Sequence, residues 1–386
     1  MNERNEAGPH VYSDVDTLVR KLLDRFDGTI RLALPLGLGK ANTIANALTR
    51  AAFEDSSISL SIFTALTLET PKASKGLARR FLEPARDRLF GRYPNLLYAE
   101  ALHDGALPPN IEVMEFFVLA GRWLSVEKVQ QNHISANYTH ALHYIIDRKP
   151  NVIAQLLARN GNGEFSLSCN TDISVDLLRA RSSGKLDFVF AGEVNSELPF
   201  LPGTAKCHVS EIDLLLDDPD TDFELFSAVK RPISLQDQAI GLHVSRLVPD
   251  GGTLQIGIGS IGDAVARALQ VRHENNELYR SALSSCPFPT ASDPEIEDRL
   301  EPFDAGLYAV SEMLVDGLLQ LFESGIVKRE VDGIAIHAAF FVESRDFYRR
   351  LREMGPDRLV KIAMMPVSYT VAVSFRSAPT AHRIRS

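Results

Sequence analysis

Short apolar runs alternate with amphipathic stretches along the first half of the chain. Residues 1–13 read as a loose tail, and Val15 to Phe26 places apolar residues at helical spacing, which predicts an amphipathic helix. Ile30 to Pro35 is a compact apolar run that reads as a strand. It enters Leu36-Gly37-Leu38-Gly39-Lys40, and a helical pattern follows from Ala41 to Phe53. Ile58 to Phe63 alternates as a second strand. This order is that of a βαβ unit with a parallel sheet. Helix-and-strand material continues over Asn110–Leu119 and Val126–Tyr138. Strands are expected at Val152–Leu157, Phe165–Ser168 and Asp187–Gly192.

The acidic, turn-rich Asp217-Asp218-Pro219-Asp220 marks a boundary. Beyond it the opening pattern returns: a helix from Ser234 to Leu247, a strand at Thr253–Ile256, a glycine turn at 257–262, then a helix at Asp263–Val271. Residues 273–304 are polar, contain Cys286-Pro287-Phe288-Pro289, and read as a mobile insertion. Ser311 is expected to cap a helix that runs to Ser324 and stops at Gly325. Gly333–Val342 reads as a strand, Ser344–Met354 as a helix and Leu359–Ser368 as a strand. The expected fold class is α/β, a duplicated arrangement of two tandem open parallel-sheet domains, 1–220 and 221–370, with a basic tail over 371–386.

Composition narrows the function classes. With 386 residues the chain is long enough for two buried cores, and 45% apolar with 24% charged residues is an ordinary globular balance. A net charge of -9 argues against nucleic acid as the main partner, because a phosphate-tracking surface needs a basic excess. The three cysteines, Cys169, Cys207 and Cys286, form neither a disulfide framework nor a zinc pattern. No stretch approaches the ~20 apolar residues of a membrane span, and the first residues carry no apolar signal region. A cytoplasmic protein with no membrane partner is the simplest expectation.

Gly257-Ile258-Gly259-Ser260-Ile261-Gly262 satisfies G-x-G-x-x-G between a strand and a helix. A dinucleotide site also needs an acidic residue about 20 positions on, at the end of a second strand. That position falls in the polar Arg272–Leu283, so a nicotinamide oxidoreductase is the weaker reading. Backbone N–H groups at the helix start still suit an anion or a developing oxyanion. The simpler alternative is that these glycines only allow a tight turn. Gly37-Leu38-Gly39-Lys40 lacks the spacing of a phosphate loop, which removes the nucleoside-triphosphate reading.

Among other polar residues, His133, His140 and His143 cluster on a segment read as helical, but only His140 and His143 are helix-face neighbours, no carboxylate joins them at metal spacing, and no metal is expected. Cys169 reads as a small core residue. Glu115 and Glu193 sit in apolar contexts, at a strand end or helix surface or lining a cleft. Glu312, taken alone, is a carboxylate at a helix start that complements the helix dipole.

Two segments change that reading. Asp250-Gly251-Gly252-Thr253-Leu254-Gln255-Ile256-Gly257-Ile258-Gly259-Ser260-Ile261-Gly262-Asp263-Ala264-Val265 resembles the acetyl-CoA hydrolase/transferase family, the family I CoA-transferases that include acetate and 4-hydroxybutyrate CoA-transferases. Val310-Ser311-Glu312-Met313-Leu314-Val315-Asp316-Gly317 is similar to that family's S/T-E-M-x-x-D-G segment. Shorter runs agree: Pro35–Lys40, Leu107–Asn110, Ser135–His140, Ser168–Asp172 and Glu197–Phe200. The resemblance covers roughly residues 30–370. It implies a catalytic Glu312 that becomes a glutamyl-CoA thioester. It also implies an oxyanion- and CoA-binding turn at Gly257, Gly259, Ser260 and Ile261, with the Ile261 N–H as one oxyanion donor. The implied partners are a small-molecule acyl-CoA and a carboxylate, with coenzyme A thioester as substrate and no further cofactor; a homo-oligomer is left open. The reaction that the resemblance implies is CoA transfer, or hydrolysis of acetyl-CoA.

Family members continue with a glycine-rich V-S-G-x-G-G-Q-like loop, whereas Val371 to Ser386 is unlike them. The expectation is therefore a second domain of the CoA-transferase type that is incomplete. The alternative is a truncated, inactive relative acting at most as a binding module.

Overall fold

The computed structural model describes residues 8–72, 76–286 and 298–376. Residues 1–7, residues 287–297 of the expected insertion and residues 377–386 of the expected tail lie outside them. Contacts divide the chain into two compact units. One runs up to Ser227 and includes Tyr348–Glu353; the other comprises Ala228–Phe347 and the chain from Met354 on.

The first unit is built on one large sheet. Its parallel strands are β1 (His10–Tyr12), β2 (Thr29–Leu36), β3 (Ser59–Ala65), β4 (Ile111–Glu115) and β5 (Val152–Arg159), with β7 (Val189–Val194) and β9 (Leu214–Leu216). Their order is β1-β9-β7-β5-β2-β3-β4. Short antiparallel strands β6 (Phe165–Ser166) and β8 (Lys206–Cys207) extend from β5. Thus residues 10–12 of the expected loose tail form a strand, because β9 offers a free edge that pairs His10 with Leu214. Strand β5 is buried along nearly its whole length, as a central parallel strand covered on both faces must be. Ile62, Val152 and Leu156 are fully buried, each contributing roughly 1.5–3 kcal/mol by leaving water. The expected first helix forms as Val15–Arg25. Asp14 accepts from the N–H groups of Asp16 and Thr17 at its start, and Leu18, Val19 and Leu22 face the core.

The second unit holds a smaller parallel sheet of β10 (Thr253–Leu254), β11 (Tyr308–Val310), β12 (Ile336–Ala338) and β13 (Ile362–Met364), paired in that order. The expected long strands at Gly333–Val342 and Leu359–Ser368 shrink to three residues each, and Val367–Arg376 is helical. Helices Leu235–Ser245 and Ser260–Glu274 pack against each other closely. A Cβ on Gly241 would stand 2.6 Å from the backbone of Ala264, so glycine sets their separation. The expected polar insertion begins instead as helix: Ser260–Glu274 runs on past Val271, and Asn276–Ser284 follows. Arg272 explains how that polar stretch is held. Its guanidinium, almost fully buried, donates to the carbonyls of Glu301, Ser245 and Val248 and lies over the Phe303 ring. No helix among the described residues is long and apolar enough to cross a membrane.

Candidate active site

Strand β10 and strand β11 are hydrogen-bonded neighbours, with Thr253 opposite Tyr308 and Leu254 opposite Ala309. Each passes at its carboxyl end into a segment singled out by sequence. After β10 the chain turns through Gly257 and Gly259 into helix Ser260–Glu274. Gly259 adopts φ +119, a conformation that side chains avoid. A Cβ on Gly262 would meet the carbonyl oxygen of Gly257 at 2.3 Å, so the turn closes only on glycine there. Nothing lies within 4 Å of a Cβ built on Gly257. Replacing Gly262 by alanine is therefore expected to cost about 1–3 kcal/mol, read as a lower urea midpoint. Gly257→Ala should leave that midpoint nearly in place; equal effects would refute the close approach.

The first N–H groups of a helix have no intrahelical acceptor. Here they belong to Ser260, Ile261 and Gly262, and the helix dipole adds positive potential at that end. Ile258 and Ile261 are exposed. The hydroxyl of Ser260 turns to Asp237, whose carboxylate lies below its ordinary range because Ser234 and Ser260 hydrogen-bond to it.

After β11 comes Glu312, and here the structure corrects the sequence reading. Ser311 caps no helix: the helix runs from Asp316 to Glu323 with Val315 at its N-cap. Glu312 instead occupies a bend in the loop between strand and helix. The buried Ser311 N–H donates to the carbonyl of His337 at 2.9 Å, and its hydroxyl lies 3.4 Å from the carbonyl of Ile256. That hydroxyl ties the Glu312 loop to the residue preceding the glycine turn. The Glu312 carbonyl accepts from the N–H groups of Ala339 and Phe340 at 2.9 and 3.1 Å. Its backbone is thus fixed while its side chain stays exposed. The surrounding protein still withdraws enough water to raise its carboxyl above the ordinary value. Below the loop, Tyr308 and His337 share a 2.7 Å hydrogen bond, and burial lowers the His337 pKa.

Other residues fall elsewhere. Arg272–Leu283, where a dinucleotide site would need a strand-end acid, is helical apart from Asn275. The rings of His140 and His143 lie 6.4 Å apart in the first unit. Cys169 is fully buried, and burial pushes its thiol well above the usual range.

Glu115 and Glu193 are also buried, at or near the carboxyl ends of β4 and β7, each with its own polar partners. Lys40 follows β2 and is fully buried; its ammonium donates to the carbonyls of Pro35 and Ala65 at 2.6 and 2.5 Å. Burial pushes Lys40 down to about 7 against the pull of Glu115 and Asp172. Glu115, at the end of β4, accepts from the Thr67 hydroxyl, and burial raises it. Glu193 accepts from the hydroxyl and N–H of Thr43 and from the N–H of Ile44, capping helix Asn42–Glu54 from across the sheet; burial raises it to about 7. Sequence reasoning undervalued these residues because their partners lie far away along the chain.

No family model matches the chain. The chain is 25% identical over 266 residues to a succinyl-CoA:cyclohexane-1-carboxylate CoA transferase of Geobacter metallireducens, covering 68% of this chain and 50% of that protein. It is 29% identical over 165 residues to a 4-hydroxybutyrate coenzyme A transferase of Clostridium kluyveri, covering 42% of this chain and 29% of that one. The chain thus spans half or less of the length of these curated relatives. The crystal structure of RipA from Yersinia pestis is similar in fold, with TM-score 0.61 at 18% identity over 94% of this chain and 69% of that one. In sequence the chain is thus similar to family I CoA-transferases, and in fold to RipA.

Proposed function

We propose that this chain carries out CoA transfer between an acyl-CoA and a carboxylate, with Glu312 as the group that carries CoA in between. One observation carries the reading. An exposed carboxylate on a fixed backbone follows β11, next to the strand whose glycine turn opens a helix N-terminus. A Glu312 carboxylate oxygen attacks the thioester carbonyl, and CoA leaves as thiolate to give an acyl–glutamyl anhydride. The thiolate then attacks the glutamyl carbonyl, releasing the acyl group as a free carboxylate and leaving glutamyl-CoA thioester. An incoming carboxylate reverses these steps and departs as the new acyl-CoA. The N–H groups at Ser260 and Ile261 are suited to the negative charge that develops on the carbonyl oxygen.

Within this reading the donor is a short-chain acyl-CoA such as acetyl-CoA, and the acceptor a carboxylate such as acetate. The exposure of the Glu312 side chain favours one second reading. Water that reaches the glutamyl thioester would make the same residue the centre of a hydrolase.

The direct test is intact mass after incubation with acetyl-CoA, followed by borohydride trapping and peptide mapping. An adduct at Glu312 supports the proposal; no adduct with any of a panel of acyl-CoAs would overturn it. A pH profile gives an independent check. Only the ionised carboxylate attacks, and Glu312 is raised above 4.5 by desolvation. kcat/KM for the acyl-CoA is therefore expected to fall with decreasing pH along a limb centred above 4.5. A flat profile through that region would count against Glu312 as nucleophile.

A further inference from the structure

Three loops leave the carboxyl ends of β10, β11 and β12, and they converge on one ammonium. The loop after β10 reaches Asp263 in the first turns of helix Ser260–Glu274. The loop after β11 carries Glu312 and ends at Asp316, the first residue of its helix. The loop after β12 carries Glu343. Lys230 Nζ lies 2.6 Å from an Asp316 carboxylate oxygen, 3.7 Å from Asp263 and 3.9 Å from Glu343. We propose that Lys230 is a positioning residue for Glu312, its ammonium fastening the three loops that frame the carboxylate.

The lacing between the second and third loops shows how the effect travels. The Glu312 carbonyl accepts from Ala339 and Phe340, and the Leu314 N–H donates to the Phe340 carbonyl at 2.9 Å. The Asp316 N–H donates to the Glu343 carboxylate at 3.1 Å. From Glu312 to Asp316 the loop is therefore held every second residue by residues 339–343. Its far end depends on Glu343 capping a helix while Asp316 stands beside it. Asp316 and Glu343 are both buried, and two buried carboxylates this close need a cation between them. Lys230 supplies it, and Gln320 adds a 2.9 Å hydrogen bond to Asp316. Burial works against the charged lysine, but the Asp316, Glu343 and Asp263 carboxylates outweigh it and hold the ammonium above its ordinary value. Lys230 and Asp316 are 86 positions apart, so spacing along the sequence gave no sign of the pair.

The catalytic consequence rests on the Glu312 reading above, whereas the fastening of the loops does not, and the test separates them. Amide hydrogen exchange is followed in peptides covering 308–317 and 336–343 of the full chain. Lys230→Met keeps the stem and removes the charge; it should speed exchange in both peptides and leave the first unit unchanged. Its rate of CoA adduct formation at saturating acetyl-CoA should fall about tenfold to a hundredfold, as for a small misplacement of a reacting group, with little change in KM. Lys230→Arg should recover most of both. So should the double variant K230M/E343Q, because glutamine still accepts from Asp316 N–H without adding a second negative charge. Unchanged exchange in Lys230→Met would overturn the proposal. Failure of both K230R and K230M/E343Q to recover, or to fold, would overturn it too, since packing of the stem would then be what matters. If the exchange pattern holds but the wild-type chain never forms an adduct, the positioning role stands and the CoA-transfer reading falls.

Discussion

Glu312→Gln is expected to stop glutamyl-CoA formation and reduce CoA transfer on the order of 10⁴-fold or more, the scale of losing a covalent nucleophile. The amide is nearly isosteric but is not a nucleophile. The fold should hardly notice the change, because the hydrogen bonds at this position use the Glu312 carbonyl, with Ala339 and Phe340 as donors, and the side chain is exposed. Stability is expected to stay within about 0.5 kcal/mol, as for surface substitutions elsewhere. Glu312→Asp makes the finer test. It keeps the charge but draws the carboxylate back by one methylene, and a displacement of ~1 Å costs about a hundredfold where geometry limits the reaction. The measurements are trapped adduct by mass, turnover with acetyl-CoA and labelled acetate, and a urea melt for each variant. Full turnover by Glu312→Gln would remove the residue from the mechanism.

The strand–glycine–helix unit at 253–274 was legible in the sequence because its signals are local. A β-prone run, a glycine that must adopt φ +119 and a helical periodicity follow one another directly. The placement of Glu312 was legible only in part. Ser311 followed by apolar residues looked like a helix cap, yet the Ser311 side chain points to Ile256, just after β10, and its N–H to His337 in β12. Tertiary hydrogen bonds extended the backbone by several residues and moved the helix start to Asp316. Lys230 could not be found by any spacing rule, since its partners meet only when three loops fold together. Nor could the buried lysine of Gly37-Leu38-Gly39-Lys40 be read from sequence. A lysine after glycines suggests a phosphate, whereas here the carbonyl oxygens of Pro35 and Ala65 accept hydrogen bonds from its ammonium.

The second large effect lies in the first unit, where Asn170→Asp is expected to destabilise the fold by about 3–5 kcal/mol near pH 8, the range for a buried charge without a partner. Asn170 is almost fully buried and joins two distant turns. Its Oδ1 accepts the Gly39 N–H at 3.0 Å, and its Nδ2 donates to the Leu36 carbonyl at 3.0 Å and to Asp172 at 3.2 Å. A Cβ on Gly39 would lie 2.4 Å from that Oδ1, so the turn and the asparagine fit without slack. Aspartate preserves the shape but replaces the donating nitrogen with an oxygen, which then faces two acceptors, one of them a carboxylate. Burial already raises Asp172 to about 6 from 3.8, against the hydrogen bonds from Tyr138 and Asn170. A second carboxylate beside it would raise the pair further. The sign with pH follows. Groups whose folded pKa is raised favour the fold fully below their unfolded pKa and lose that contribution as pH rises through the folded value. The wild-type chain therefore gives up some stability between 3.8 and about 6 through Asp172. Asn170→Asp should give up more and continue to do so above that window. Urea midpoints of both chains, taken at pH 5 and pH 8, should differ much more at the higher pH. A gap independent of pH would mean that lost hydrogen bonds alone, and not the buried charge, account for the damage.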